Sequence, residues 1–435
     1  MKIGLISLGC SKNQVDSEVM LGCLTEHGHE IVTDMEAAEA IIVNTCGFIE
    51  SAKQESIDEI LGAAQLKSEG SLKYLFVTGC LSQRYPEELC EGIPEVDGFL
   101  GVSEYGRLIE MLERAEKGEK PVFTGSGERF LKQKRVLTTP PFSAYVKIGD
   151  GCDNRCTYCA IPLIRGSYAS RSYEDIMEEC RALVSGGVTE LTFISQDTSR
   201  YGSDFEGHPL LLKDLMHDAS LIPGVKWVRV LYCYPDTVNE ELLKEIKDNP
   251  KICKYLDLPL QHINGEMLKR MNRRGTPEDI KKLIARCREY GILVRTTMIV
   301  GFPGETEEQF EEMLSFVTET RFERLGAFTF SPEEGTAAAE MPDQIDEEEK
   351  LKRLDMLMMK QQEISYEINR SRVGSVVTAL VERKEDSHWV CRSEKEAPEA
   401  DGIIKVDGRT MLTAGEYINI RITGCDAYDL TGVRV

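Results

Sequence analysis

Cys152, Cys156 and Cys159 stand in the stretch Cys-Asp-Asn-Arg-Cys-Thr-Tyr-Cys, a CxxxCxxC spacing. Thiolates this close in one short loop suit a cube-shaped iron–sulfur cluster, and three of them leave one iron without a protein ligand. That open iron is a place for chemistry. A zinc knuckle would want a fourth Cys or His nearby, and none follows before Cys180. The run of two-cluster ferredoxins, closed by a fourth cysteine and a proline, is also missing.

Three further cysteines recur in one local context. Residues 3–8, 41–43 and 74–77 are short apolar runs, each followed by a helical pattern, and Cys10, Cys46 and Cys80 follow those runs. In an open parallel sheet the carboxyl ends of such strands line one edge, where ligand sites form, so the three would meet there. Gly9, Gly47 and Gly79 beside them let the backbone approach a bulky cofactor without a Cβ clash. Taken alone, the three cysteines are equally well explained as buried packing residues.

Strands must also position the CxxxCxxC loop. The chain alternates strand and helix patterns from 142 to about 332, with strands at 144–148, 191–195, 227–231, 255–260, 294–300 and 327–330. Six such repeats predict a parallel barrel, complete or left open, with its site at the strand carboxyl ends. The cysteine loop leaves the first strand there. Gln196 and Asp197, Gln261 and His262, and Gly301 and Gly304 follow later strands on the same rim and are read as cofactor contacts. Each has a plainer reading, His262 as a satisfied histidine at a strand end and the glycines as turn residues.

Composition bounds the class. The chain has 435 residues, enough for two or three domains, and a net charge of −22, which disfavours nonspecific attraction to nucleic acid. No apolar run approaches a membrane span or a signal-peptide core, so the expectation is a cytoplasmic protein with no membrane partner. In that compartment fourteen cysteines are metal ligands or buried apolar residues and not a disulfide framework; Cys23, Cys180 and Cys287 are assigned to the core. The expected division is 1–117, a linker at 118–141, 142–372 and 373–435. The linker carries the basic run Lys132-Gln133-Lys134-Arg135, read as a solvated connector. Asp346 to Glu349 open a helix reaching about Arg372, and four short alternating strands at 376–382, 389–392, 403–406 and 417–423 predict a small β-barrel.

The CxxxCxxC spacing with Tyr158 before the last cysteine resembles the radical S-adenosylmethionine (SAM) superfamily. Together with the cysteine-bearing βα part and the terminal β-barrel it is similar to the methylthiotransferase family. The resemblance implies an α/β chain: an amino-terminal parallel βα domain, an incomplete TIM-like radical SAM barrel and a carboxy-terminal TRAM barrel. It implies two 4Fe-4S clusters, an auxiliary one on Cys10, Cys46 and Cys80 and one on Cys152, Cys156 and Cys159 whose free iron binds SAM. No side chain is implied as a classical nucleophile, since a radical from SAM cleavage removes the substrate hydrogen. Leu8-Gly9-Cys10-Ser11-Lys12-Asn13 and residues 255–262 resemble the branch that modifies the β-carbon of an aspartate in ribosomal protein S-twelve. Ser11 stands where proline is commonest in that branch. Residues 186–190 do not reproduce the superfamily's Gly-Gly-Glu order, so no SAM contact is carried onto them. A reducing protein such as flavodoxin or ferredoxin is the implied electron donor.

The terminal barrel weighs on the substrate. Residues 371–435 hold nine basic and eleven acidic side chains. That surface suits a cationic ribosomal protein better than a transfer RNA adenosine, the substrate of the sister branch. A noncatalytic iron–sulfur scaffold is the third reading; it would not cleave SAM.

Overall fold

The computed structural model describes residues 1–132, 134–207 and 211–435. Strands β1 (Lys2–Ser7), β2 (Glu30–Val32), β3 (Ala40–Thr45), β4 (Tyr74–Gly79), β5 (Gly98–Leu100) and β6 (Val122–Phe123) form one parallel sheet in the order β2-β1-β3-β4-β5-β6. β3 and most of β4 are buried on both faces, as expected where helices cover both sides of a parallel sheet. The order reverses between β1 and β3, a topological switch point, and the carboxyl ends of β1, β3 and β4 are neighbours.

β6 falls inside the stretch read as a linker, because Val122 and Phe123 pair with Phe99 and Leu100. The basic run there needs correction. Gln133 lies outside the described residues, but Arg135 is no solvated connector: its side chain is buried between Glu18 of the first sheet's helix Ser11–Glu26 and Glu179. Two carboxylates from different parts of the chain draw one guanidinium inward.

β7 (Ser143–Lys147) leads into a two-stranded ribbon, β8 (Gly149–Asp150) with β9 (Ala169–Ser170), which frames the CxxxCxxC loop. β10 (Glu190–Ile194), β11 (Trp227–Val230), β12 (Tyr255–Asp257), β13 (Leu293–Val300) and β14 (Arg324–Thr329) follow. They form two three-stranded parallel sheets, β7-β10-β11 and β12-β13-β14. The halves meet at a bridge between Val228 and Ile252, where the Cys253 N–H donates to Val228 O at 2.9 Å. β12 is shorter than the expected 255–260, since Pro259 has no N–H to continue a ladder. Alternate residues such as Ala144, Val146, Leu191, Phe193, Val228, Val294 and Met298 pack outward in one core under the helices, with Cys180 and Cys287 among them. Cys23 packs in the core of the first sheet.

The helix Glu347–Ser371 runs to β15 (Val376–Lys384), β16 (His388–Ser393), β17 (Ile404–Asp407), β18 (Tyr417–Cys425) and β19 (Leu430–Arg434), a closed barrel in the order β15-β16-β17-β19-β18. β19 is a strand beyond the four expected. Its Thr431-Gly432 pair interrupts the apolar alternation that marks strands in sequence. This barrel docks on the amino ends of the larger barrel's strands, with Tyr417 edge-on to Trp227 at 4.9 Å between ring centres and Asp401 2.7 Å from the Tyr255 hydroxyl. Among the described residues no helix is long and apolar enough to cross a membrane.

Candidate functional site

The three βα loops after β1, β3 and β4 are stitched together by polar side chains. The Asn13 amide donates to Leu8 O at 2.8 Å and Thr45 O at 3.0 Å. The Asn44 amide donates to Asn13 O and to Ser17 Oγ, and the Thr45 hydroxyl to Thr78 O at 2.6 Å. Gly9, at φ +85°, has its place because a Cβ there would lie 2.8 Å from Cys46 Cβ. The glycine serves the approach of one loop to the next, where the sequence reading gave it to a cofactor.

Cys10, Cys46 and Cys80 converge as thiols that feel one another. Burial and the neighbouring Cys80 push the Cys46 thiol up to about 12, and burial raises Cys80 although Arg165 opposes it. For Cys10 burial also acts upward, but the Lys12 and Arg165 charges and backbone donors outweigh it and leave the thiol below its ordinary value. Cys10 is exposed to solvent, whereas Cys80 is buried and Cys46 half-buried.

The second set sits on the rim of the larger barrel. The Cys152 N–H donates to Gly166 O at 3.1 Å and the Cys159 N–H to Cys156 O at 3.0 Å. Thr157 is held to the segment after the helix Gly265–Arg270 by bonds to Arg270 O and Met271 O. The Arg273 guanidinium stacks 3.9 Å above the Tyr234 ring and reaches within 3.8 Å of Cys156 Sγ, which the Tyr234 hydroxyl also meets at 3.8 Å. Burial pushes the Cys152 thiol up to about 11, and burial with the nearby Cys156 raises Cys159.

Among the described residues no group of three His, Cys, Asp or Glu side chains closes around a single metal ion. Each set of three cysteines still fits an iron–sulfur cube, in which each thiolate binds a different iron and the ligands stand further apart than around one ion. Thiols raised by burial and mutual repulsion are the groups a cluster's positive charge would hold ionised.

The rim residues divide into two kinds. Gln196 has both side-chain amide atoms buried without a partner, and Gln261 has its Oε1 so. Such orphaned groups fit a polar ligand. Asp197 is engaged already: Asn154 of the cysteine loop donates to it at 2.8 Å and Ser199 at 2.9 Å, while burial raises its carboxyl pKa. His262 Nδ1 accepts the N–H groups of Ile263 and Asn264 at 2.9 Å, which puts the ring proton on Nε2. That Nε2 lies 3.5 Å from Glu305 Oε2 but lacks hydrogen-bond geometry. Gly301 donates to the Glu305 carboxylate and leaves no room for a Cβ beside Lys350; Gly304 leaves none beside the Arg270 guanidinium.

Sequence reasoning missed the residues that join the two sets. Lys12 Nζ lies 3.2 Å over the ring of Tyr232, just past β11, and Ser11 Oγ lies 3.4 Å from the Tyr232 hydroxyl. Arg165 ends the helix Ile161–Arg165 that begins two residues after Cys159. It bonds Asp16 at 3.0 Å and Asp150 at 3.1 Å and comes within 3.6 Å of Cys80 Sγ. Lys147 completes the buried network, contacting Asp16 and Asp150, and its charge and that of Arg165 hold Asp150 well below the usual carboxylate range against the effect of burial. An arginine beside an apolar run carries no sequence signal for this. A cavity of about 810 Å³ opens beside Arg135, Arg171 and Leu183, but none of the six cysteines lines it.

This architecture defines a class: residues 146–317 match the Radical SAM superfamily, residues 2–101 the Uncharacterized protein family UPF0004, and residues 373–435 the TRAM domain. The chain is 48% identical over 433 residues to a ribosomal protein uS12 methylthiotransferase RimO of Thermoanaerobacter sp., covering 99% of each chain. It is 46% identical over 437 residues to the protein of that name in Clostridioides difficile, covering 99% of this chain and 98% of the relative. The chain belongs to the RimO family of methylthiotransferases, enzymes that use SAM and iron–sulfur chemistry. Among solved structures it is similar to the radical SAM methyltransferase TsrM of Kitasatospora setae, with TM-score 0.58 and 15% identity over 95% of this chain and 83% of that one. It is also similar to the cobalamin-dependent radical SAM enzyme OxsB, with TM-score 0.53 and 15% identity over 82% of this chain and 56% of that one. At such identity the likeness is one of fold.

Proposed function

We propose that the chain transfers a methylthio group to the β-carbon of an aspartate in ribosomal protein uS12. The observation that carries this reading is the 48% identity, along the whole chain, to a protein named for that activity. In this reading the chain divides at 1–117, 118–141, 142–372 and 373–435. Cys10, Cys46 and Cys80 hold one 4Fe-4S cluster, and Cys152, Cys156 and Cys159 hold a second that also binds SAM. Gln196, Asp197, Gln261, His262, Gly301 and Gly304 surround the SAM, the orphaned amides of Gln196 and Gln261 offering the direct hydrogen bonds. A reducing protein such as flavodoxin or ferredoxin supplies electrons.

Bound there, the cofactors would supply the radical that removes a hydrogen too tightly held for any side-chain base, and the sulfur and methyl that replace it. The side chains position and insulate. Arg165 and Asn13 fix the Cys80 loop against the helix that follows Cys159. Arg273, stacked on Tyr234, sets a cation beside Cys156. Lys12, lying on Tyr232, ties the loop that follows Cys10 to the barrel rim. His262, with Nδ1 occupied by two backbone donors, orients the strand end and is not available as a base through that nitrogen.

Anaerobically reconstituted protein, given SAM, a reductant and either uS12 or a transfer RNA, should methylthiolate uS12 alone. Modification of the transfer RNA and not of uS12 would overturn the substrate assignment.

A further inference from the structure

The loop from Asn154 to Thr157 lies along the segment Arg270-Met271-Asn272, stitched by Thr157 N–H to Met271 O at 3.1 Å, Thr157 Oγ1 to Arg270 O at 2.9 Å, and Asn272 Nδ2 to Arg155 O at 2.9 Å. That strip of surface is cationic. Arg155 and Lys269 are exposed, Arg274 is 52% exposed at its side chain, and Arg270 is half-buried. Asp236 neutralises part of Arg274. Among the described residues Arg155, Lys269 and Arg270 have no ion-pair partner, in a chain whose net charge is −22. Charges left unpaired on an acidic protein favour an acidic partner, and the field they set up steers its approach. The sign is wrong for a cationic ribosomal protein. The place is one loop's thickness from Cys156, whose Sγ already has the Arg273 guanidinium 3.8 Å away.

The geometry points to this strip, Arg155 with Lys269, Arg270 and Arg274, as the docking surface for an acidic one-electron carrier protein. This rests on the proposed iron–sulfur role of the Cys152, Cys156 and Cys159 loop. The transfer is of one electron: the carrier's cofactor is oxidised by one, the iron–sulfur site reduced by one, and no bond or proton has to move. Docking here brings the carrier against the loop that holds Cys156. Arg155, at φ +50°, is held with its carbonyl turned to Asn272, which leaves its side chain to face outward.

The test uses the reconstituted full chain with a flavodoxin as the probe. Binding should weaken steeply as salt rises to physiological strength, where exposed charges are screened beyond about 8 Å. The double variant Arg155→Glu, Lys269→Glu should bind about tenfold or more weakly at low salt, and flavodoxin-driven SAM cleavage should fall in parallel. Cleavage driven by dithionite, which needs no docking, should stay near wild type. The charge-conserving pair Arg155→Lys, Lys269→Arg should bind as wild type does, which separates lost charge from a disturbed loop. Unchanged affinity in the double glutamate variant overturns the proposal. So does tighter binding of an anticodon stem-loop RNA than of flavodoxin, lost in the same variant, which would make the strip an RNA surface. Failure of the underlying reading looks different, because dithionite would then drive no SAM cleavage in wild type.

Discussion

The Arg165 guanidinium lies 3.6 Å from Cys80 Sγ, and only five residues separate Arg165 from Cys159. One short helix therefore links the two thiol sets. Asp16 from the first sheet's helix and Asp150 from the barrel rim share this cation, so the relative position of the sets is fixed by a buried charge network.

Replacing Arg165 by methionine strands two buried carboxylates with only Lys147 between them. The expected cost is roughly 3–5 kcal/mol, the range for breaking a buried ion pair, read as a lowered thermal midpoint. Arg165→Lys keeps the charge but not the planar fork that reaches Asp16, Asp150 and Cys80 together. It should fold and lose iron from the Cys10, Cys46 and Cys80 site first. Full iron content and unchanged stability in both variants would remove Arg165 from its role.

The two cysteine sets should be separable. Alanine at Cys152, Cys156 and Cys159 should abolish SAM cleavage and leave one cluster; alanine at Cys10, Cys46 and Cys80 should leave one cluster and reductive SAM cleavage but stop methylthio transfer. Iron and sulfide analysis with a cleavage assay reads both. Product at the normal rate from the second variant contradicts the auxiliary role.

The terminal barrel is clasped to the larger one by Glu190, which bonds Arg392 at 2.5 Å and Arg229 at 3.3 Å, all three buried. The superfamily's usual acid is absent near residue 186, and the acid that is present serves this clasp. Despite burial, Arg392 and Arg229 hold the Glu190 carboxyl down at about 2, against 4.5 ordinarily. A depressed carboxyl contributes stability that is complete above pH 4.5 and lost as pH falls toward 2. Thermal midpoints of wild type and Glu190→Gln should therefore differ most above pH 4.5 and converge below it. A gap independent of pH would mean the charge is not what holds the clasp.

The acidic surface of the terminal barrel needs a narrower test than its residue count offers. Asp401 is 3% exposed and beside Arg295, and Glu382 bonds Arg392, so neither is free to meet a partner. Asp386 and Glu399 are exposed. Changing those two to lysine should slow association with isolated uS12 and reduce its salt dependence, with SAM cleavage intact. Stopped-flow binding that shows no change in rate would exclude this face from uS12 recruitment.

Much of this was legible in sequence because local pattern carried it. β1, β3 and β4 announce themselves as apolar runs ending in cysteines, and β7 runs directly into the CxxxCxxC loop. The contacts that join the parts were not legible. Arg135 reads as a loop cation and Arg165 carries no signal in sequence, and only the tertiary fold brings Glu18, Glu179, Asp16 and Asp150 to them. His262 and Gly301 look alike in sequence as rim residues, yet His262 Nδ1 accepts two N–H groups of its own turn while its Nε2 has no hydrogen-bond partner, and the Gly301 N–H donates to Glu305. Gln196 and Gln261, which sequence could not distinguish from them, are the ones left with unpartnered amide atoms.

Mass spectrometry of ribosomal protein uS12 from cells with and without this gene tests the central claim most directly. The account predicts a methylthio mass addition on one aspartate in cells with the gene, absent when it is deleted and absent again when only Cys10, Cys46 and Cys80 are replaced. An unmodified uS12 in cells that make the protein, or a modification that persists after deletion, would contradict it.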